Sequence, residues 1–235
     1  NSDYDDDKIL KVVRNLLAKQ VDGIIFMGYD LSEELQAEFK SSNTPVVVAG
    51  SVVNDKDLPA VRIDYRKAAK EAVTRLLDHN DGQVALVTSS LDYSINREER
   101  LPGYKDALSE AGVDYDDQLL IETDGTYKGI YDQAKSIAEQ GVKAAYVTND
   151  HLAVGLLNGL TDNGIKVPED FEIISSNDTK YTRLCRPMLS SITQPLYDIG
   201  AVSMRLLTKL MEDNSDNEQD VILDHSFVAR QSTRK

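Results

Sequence analysis

Two cations one helical turn apart, Arg205 and Lys209, stand in the stretch QPLYDIGAVSMRLLTKLM (194–211), which has no acid between Asp198 and Glu212. The chain as a whole is acidic: 40 Asp and Glu against 26 Lys and Arg leave a net charge of −14. Like charges at i,i+4 repel slightly, so the pair does nothing for its own helix. Two donors on adjacent turns of one rigid element are suited to an anion from outside, above all a phosphate monoester. If a helix runs from Asp198, then Ile199, Val202, Leu206 and Leu210, with Ser203 and Leu207, form its inner face. Tyr197, Ala201, Met204, Arg205, Thr208 and Lys209 then fall on the outer side or its margins. A Met and a Tyr beside two cations and a hydroxyl make a surface suited to a phosphorylated protein. The plainer reading of the same residues is an ordinary solvated face.

Residues for other chemistry are present but not arranged for it. His79, His151 and His225 sit in unrelated contexts, with no metal-ligand spacing. No G-x-S-x-G elbow and no Gly-rich phosphate loop occurs, so the sequence predicts no catalytic residue, no metal and no obligate cofactor. Asp150-His151 has the look of half a dyad, but Asp150 is better read as the start of the following helix. Cys185, in RLCRP, lies between two arginines that would favour a thiolate; a packing thiol is the expected role.

Composition narrows the class. A chain of 235 residues can bury one large core or two modest ones. A single cysteine forbids an internal disulfide and points to a reducing, cytoplasmic compartment. No apolar run approaches membrane-spanning length, so no membrane partner is expected. The negative charge argues against these residues gripping DNA phosphates themselves. The opening NSDYDDDK runs directly into a helical pattern and is read as native sequence.

The elements that must position these residues alternate regularly. VDGIIFMG (21–28), TPVVVAG (44–50), QVALVTS (83–89), VKAAYVTND (142–150) and FEIISS (171–176) suit parallel strands buried on both faces. Helical windows lie between them: Ile9–Gln20, Ser32–Lys40, Lys67–His79, Glu98–Ala111, Ile130–Gln140, His151–Asn163 and Asp198–Glu212. The alternation predicts an α/β doubly wound fold. In such sheets ligands bind beyond the strands' carboxyl ends, which here carry Met27 and Gly28, Gly50, Ser89 and Ser90, Asn149 and Asp150, and Ser176 to Asp178.

Six segments in order, KQVDGIIFMG, TPVVVAG, VRIDYRKAAKEAVTRLL, RLPGYKDALSEAG, YVTNDHLAVGLLNGLTDNGIKVPEDFEIISSNDT and MLSSITQPLYDIGAVSMRLL, closely resemble the core of LacI/GalR-type transcription regulators. The resemblance covers essentially the whole chain. It implies two Rossmann-like subdomains of periplasmic-binding-protein type, joined by crossovers near Asp64, Gln194 and Ser226. The N-terminal subdomain would be 1–64 plus 195–225, and the C-terminal one 65–194 plus 226–235. Relatives begin with a helix-turn-helix module, a hinge helix and a first strand, helix and second strand; this sequence starts after them. The N-terminal subdomain is therefore expected to be incomplete, and operator DNA to be reached only through the absent N-terminal domain. The family also pairs as homodimers, for which the helix Gly103–Ala111 and Met188 with Leu189 are the expected contacts.

The resemblance offers two places for an effector. Sugar and purine regulators of the family hold a small molecule in a cleft, and the matching positions here are Asp64, Arg100, Asn149, Asn177 and Gln194. These could hydrogen-bond a sugar phosphate as a weak adjunct effector, with Arg100 facing the phosphate. Where many relatives place a carboxylate, however, this chain has Ser175-Ser176-Asn177. Where sugar regulators place an aromatic platform, it has Gly125 and Leu196, which argues against tight sugar binding. The second place is the helix of the opening stretch, with the late FVARQST (227–233). Both are similar to a family member that controls carbon catabolite repression and takes as corepressor the phosphocarrier protein HPr, phosphorylated on a serine. The positions matching its docking surface are Tyr197, Asp198, Met204, Arg205, Thr208, Lys209 and Arg230. The expected function is thus the effector and dimerisation core of a carbon-catabolite regulator docking serine-phosphorylated HPr. The alternative is a sugar- or nucleoside-binding core switched by a ligand in its cleft.

Overall fold

Short β-branched runs alternating with amphipathic windows have a natural solution: parallel strands covered by helices on both faces. A computed structural model describes residues 6–28, 31–53, 58–212 and 220–234. Its first elements are α1 (Asp6–Ala18), β1 (Ile24–Phe26), α2 (Glu33–Ser41), β2 (Val46–Ala49), β3 (Ala60–Ile63) and α3 (Tyr65–Asn80). There follow β4 (Val84–Thr88), α4 (Leu101–Glu110), β5 (Leu120–Glu122), α5 (Tyr127–Glu139), β6 (Ala144–Val147), α6 (Asp150–Asp162) and β7 (Glu172–Asn177). The last are α7 (Lys180–Leu184), β8 (Ser190–Thr193), α8 (Leu196–Met211), β9 (Asp220–Leu223) and β10 (Ser226–Val228). The chain divides into two units, Asn1–Ile63 with Pro195–Asp224, and Asp64–Gln194 with His225–Lys235.

The first unit is built on a parallel sheet of order β1-β2-β3-β9. One side packs Leu10 and Val13 of α1 and Leu35 and Phe39 of α2 against Ile24, Phe26, Val46 and Val48. The other side receives α8, whose Ile199, Leu206 and Leu207 meet Val47, Ala49 and Val61. β2 is buried along its whole length, as its run of three valines requires. β9 was not predicted as a strand, because its residues alternate between exposed and half-buried. Register fixes it: Asp220 lies opposite Ala60, and its carboxylate takes a two-pronged ion pair from Arg62 of β3, at 3.2 Å from Nε and 2.9 Å from the terminal nitrogen.

The second unit holds a six-stranded sheet of order β10-β8-β7-β6-β4-β5, parallel except for β10. α5 and α6 cover one face through Ile130, Ala134, Ile137, Leu152, Leu156 and Leu160. α3 and α4 pack closely together, because Gly103 has no Cβ; one there would sit 2.2 Å from the Arg66 carbonyl oxygen. β8 escaped prediction because SSIT is polar. Its burial is made tolerable by hydrogen bonds to the chain's end, such as Ser190 N–H to Ser232 Oγ at 2.8 Å and Arg230 N–H to Ser190 Oγ at 2.8 Å. Before α4, residues Ile95–Arg100 form a π-helix, of which the sequence pattern predicts only Glu98 to Arg100, and as ordinary helix. Leu189, expected at a dimer contact, is instead fully buried in this unit's own core, while Met188 beside it is half-buried.

Candidate functional site

The outer face of α8 follows from the way the helix is anchored. Ile199, Ser203, Leu206 and Leu207 are buried, so the residues between them on the helical wheel must face out. Tyr197 is 87% exposed and Met204 51% exposed, and Arg205 and Lys209 are exposed as well. Asp198 is exposed at the helix's first turn, where a carboxylate complements the helix dipole. Thr208 donates its hydroxyl to the Met204 carbonyl at 2.9 Å, so it packs along its own helix while leaving its acceptor lone pairs outward. Among the described residues, neither Arg205 nor Lys209 lies within ion-pairing distance of a carboxylate. Arg230 is differently placed. It belongs to the second unit, and its guanidinium pairs with Asp178 Oδ1 at 2.7 Å and donates to the Leu189 carbonyl at 2.7 Å and Thr182 Oγ1 at 3.2 Å.

A second polar cluster lies in the second unit, around Tyr65. Asp64 caps α3 by accepting the Lys67 N–H at 2.8 Å, which sets the buried Tyr65 at the helix's first position. Arg100 is only 3% exposed; it donates to Asn96 Oδ1 at 3.0 Å, and its guanidinium carbon lies 5.3 Å from the centre of the Tyr65 ring. Its Nε is buried with no hydrogen-bond partner among the described residues. The Tyr65 hydroxyl donates to Gln194 Oε1 at 3.2 Å, and the Gln194 amide donates in turn to Asn177 Oδ1. Asp64, Arg100, Asn177 and Gln194 are therefore joined through one tyrosine. Asn149 is the N-cap of α6, accepting the His151 N–H at 3.2 Å, beyond the carboxyl end of β6. Tyr65 and Asn96 were missed from sequence; the only signal was that each adjoins or lies one turn from a residue already singled out.

Asp150 starts α6, as the sequence suggested, one residue after the cap Asn149. It is the first helical residue, 1% exposed, and its carboxylate accepts the Ser175 hydroxyl and, at 2.6 Å, the Thr179 N–H. Burial pushes this carboxyl above the ordinary range, against the pull of those two hydrogen bonds. His151 takes no part in a dyad: its Nε2 lies 2.8 Å from the Gly125 carbonyl oxygen. Burial likewise raises the Cys185 thiol despite Arg186 and Arg230 nearby, and the side chain packs against the unit's core. No group of His, Cys, Asp and Glu that could hold a metal ion is found among the described residues.

Residues 82–233 match the family described as periplasmic binding protein-like domain. Catabolite control protein A of Streptococcus mutans is 47% identical over 234 residues, spanning 100% of this chain and 70% of that protein. The chain belongs to the catabolite control protein A family of LacI-type regulators. The protein of that name from Priestia megaterium is 42% identical, over 100% of this chain and 71% of its own length. The crystal structure of the transcription regulator CcpA of Lactococcus lactis superposes with a TM-score of 0.94 at 43% identity, covering 100% of this chain and 86% of that one. A LacI-family regulator of Enterococcus faecium with bound ribose gives a TM-score of 0.84 at 26% identity, over 94% of this chain and 83% of that one. The chain is thus the core of a transcription regulator and not an enzyme, on the periplasmic-binding-protein-like fold. No helix among the described residues is long and apolar enough to cross a membrane.

Proposed function

We propose that the outer face of α8 docks serine-phosphorylated HPr and that this docking sets the DNA-binding state of a homodimeric, cytoplasmic carbon-catabolite regulator. The observation that carries the reading is the pair Arg205 and Lys209: exposed, one turn apart and without a carboxylate partner among the described residues of a chain with net charge −14. A phosphoserine brings close to two negative charges and three acceptor oxygens, which two cations on one rigid helix can share. Tyr197 and Met204 offer apolar area beside the phosphate, and Asp198 and Thr208 offer acceptors for donors on the carrier. Arg230 would join them only by leaving Asp178. Docking acts on the regulator only so far as the carrier prefers one of its conformations. DNA contact belongs to a helix-turn-helix domain outside these residues. The test is titration calorimetry of the chain against phosphorylated and unphosphorylated HPr, with sedimentation to follow dimerisation. Binding of the phosphorylated form alone supports the reading; equal binding of both forms, or of neither, contradicts it.

A second reading concerns the Tyr65 cluster and is favoured by the buried, unpartnered Arg100 Nε. A buried guanidinium held, among the described residues, by a neutral amide and a ring face retains its demand for an anion. A sugar phosphate meets that demand, with the amides of Asn149, Asn177 and Gln194 as donors and acceptors for its hydroxyls, as a weak adjunct to the carrier.

A further inference from the structure

Asp150 is a carboxylate 1% exposed with no cation paired to it among the described residues, an arrangement that costs stability unless it secures something. What it secures is the turn after β7. Asn177 (φ 110°) and Asp178 (φ 51°) are consecutive non-glycine residues in the left-handed region, a backbone that persists only when its surroundings enforce it. Asp150 grips both ends of that turn, through the Ser175 hydroxyl before it and the Thr179 N–H after it. The turn holds the Asn177 side chain against Gln194, and on its other flank Asp150 adjoins Asn149 in sequence. One buried carboxylate thereby ties together the two strand ends that carry two of the candidate ligand residues, Asn149 and Asn177.

We propose that Asp150 is the positioning residue of the Tyr65 cluster, fixing Asn177 and Asn149 for a ligand it does not itself touch. This rests on the second reading above, that the cluster takes a sugar phosphate. Ser175 is its partner in the role, and Asp178 holds the turn from outside through its pairs with Arg230 (2.7 Å) and Arg183 (3.2 Å).

The test compares the wild-type chain with Asp150→Asn, Ser175→Ala, Asn177→Ala and the double variant Asp150→Asn/Asn177→Ala. Glucose 6-phosphate is the probe in calorimetry, and amide hydrogen exchange is followed at 176–179. Asp150→Asn should weaken binding about tenfold, and by far less once Asn177 is already alanine, because the two act through one contact. It should also speed exchange at Asp178 and Thr179 by about tenfold or more while β6 and β7 stay protected. Unchanged exchange at the turn would overturn the positioning role, whatever the binding shows. Faster exchange with fully additive losses of binding would reduce Asp150 to a structural residue. If the wild-type chain fails to bind the probe, the sugar-phosphate reading falls, and the role assigned to Asp150 falls with it.

Discussion

Arg205, on the outer face of α8, and Arg230, near the chain's C-terminal end, present the same guanidinium in opposite settings. Arg205 is exposed with no carboxylate near it among the described residues, while Arg230 is largely buried and spent on Asp178, Thr182 and the Leu189 carbonyl. The same contrast separates the two polar regions. On α8 the polar groups look outward and bond little within the protein; around Tyr65 they bond one another, and Arg100 Nε is left over among the described residues. A surface of the first kind suits a macromolecular partner that brings its own charges. A cluster of the second kind suits a small ligand that must break or complete an existing network.

Four substitutions probe that contrast, beginning with the scaffold. Leu206 is buried beneath the α8 cations, so Leu206→Ala should cost about 2–5 kcal/mol of stability. A denaturant melt should show the loss, and any loss of carrier binding should follow it. Arg230→Ala comes next: removing a nearly buried charged donor from Asp178 should cost about 1.5–3 kcal/mol. The same melt checks this, and an unchanged midpoint would return Arg230 to the free cations of the docking face. Arg205→Ala or Lys209→Ala should leave the melt within about 0.5 kcal/mol, since neither side chain packs on the core. Each should nevertheless weaken phosphorylated HPr about tenfold, or about 1.4 kcal/mol, by calorimetry.

The smallest effect concerns Glu71, on α3 of the second unit. Burial pushes its carboxyl up, but Arg75 at 2.9 Å and His225 at 3.2 Å outweigh burial and hold it below the ordinary range. A carboxyl lowered on folding stabilises above its ordinary pKa of about 4.3, and that stability is lost as pH falls through the lower folded value. Glu71 is a third exposed, so Glu71→Gln should cost under about 1 kcal/mol at neutral pH. Its stability against pH should run flatter than wild type on the acid side.

Periodicity exposed the outer face of α8 from sequence because the helix is long and its inner residues are plainly apolar. The strands Val46–Ala49, Val84–Thr88 and Ala144–Val147 were legible for the same reason: they are buried on every residue. β8 and β9 were not, since SSIT is polar and DVIL stands half in solvent; pairing with distant segments makes them strands. The role of Asp150 was equally hidden. A carboxylate after an asparagine at a strand end reads as the start of a helix, and nothing local says that Ser175 and Thr179 fold back onto it. Arg230 failed to show its setting because its partner, Asp178, lies 52 residues away.

The central claim is that the α8 cations read a phosphate, and the measurement closest to it is the ratio of affinities for phosphorylated and unphosphorylated HPr. It should be taken by calorimetry on the wild-type chain and on the double variant Arg205→Ala/Lys209→Ala. The wild type should prefer the phosphorylated carrier by about tenfold at least, and the double variant should lose most of that preference while melting as the wild type does. A preference that survives removal of both side chains would show that the phosphate is recognised elsewhere and that this face of α8 is ordinary solvated surface.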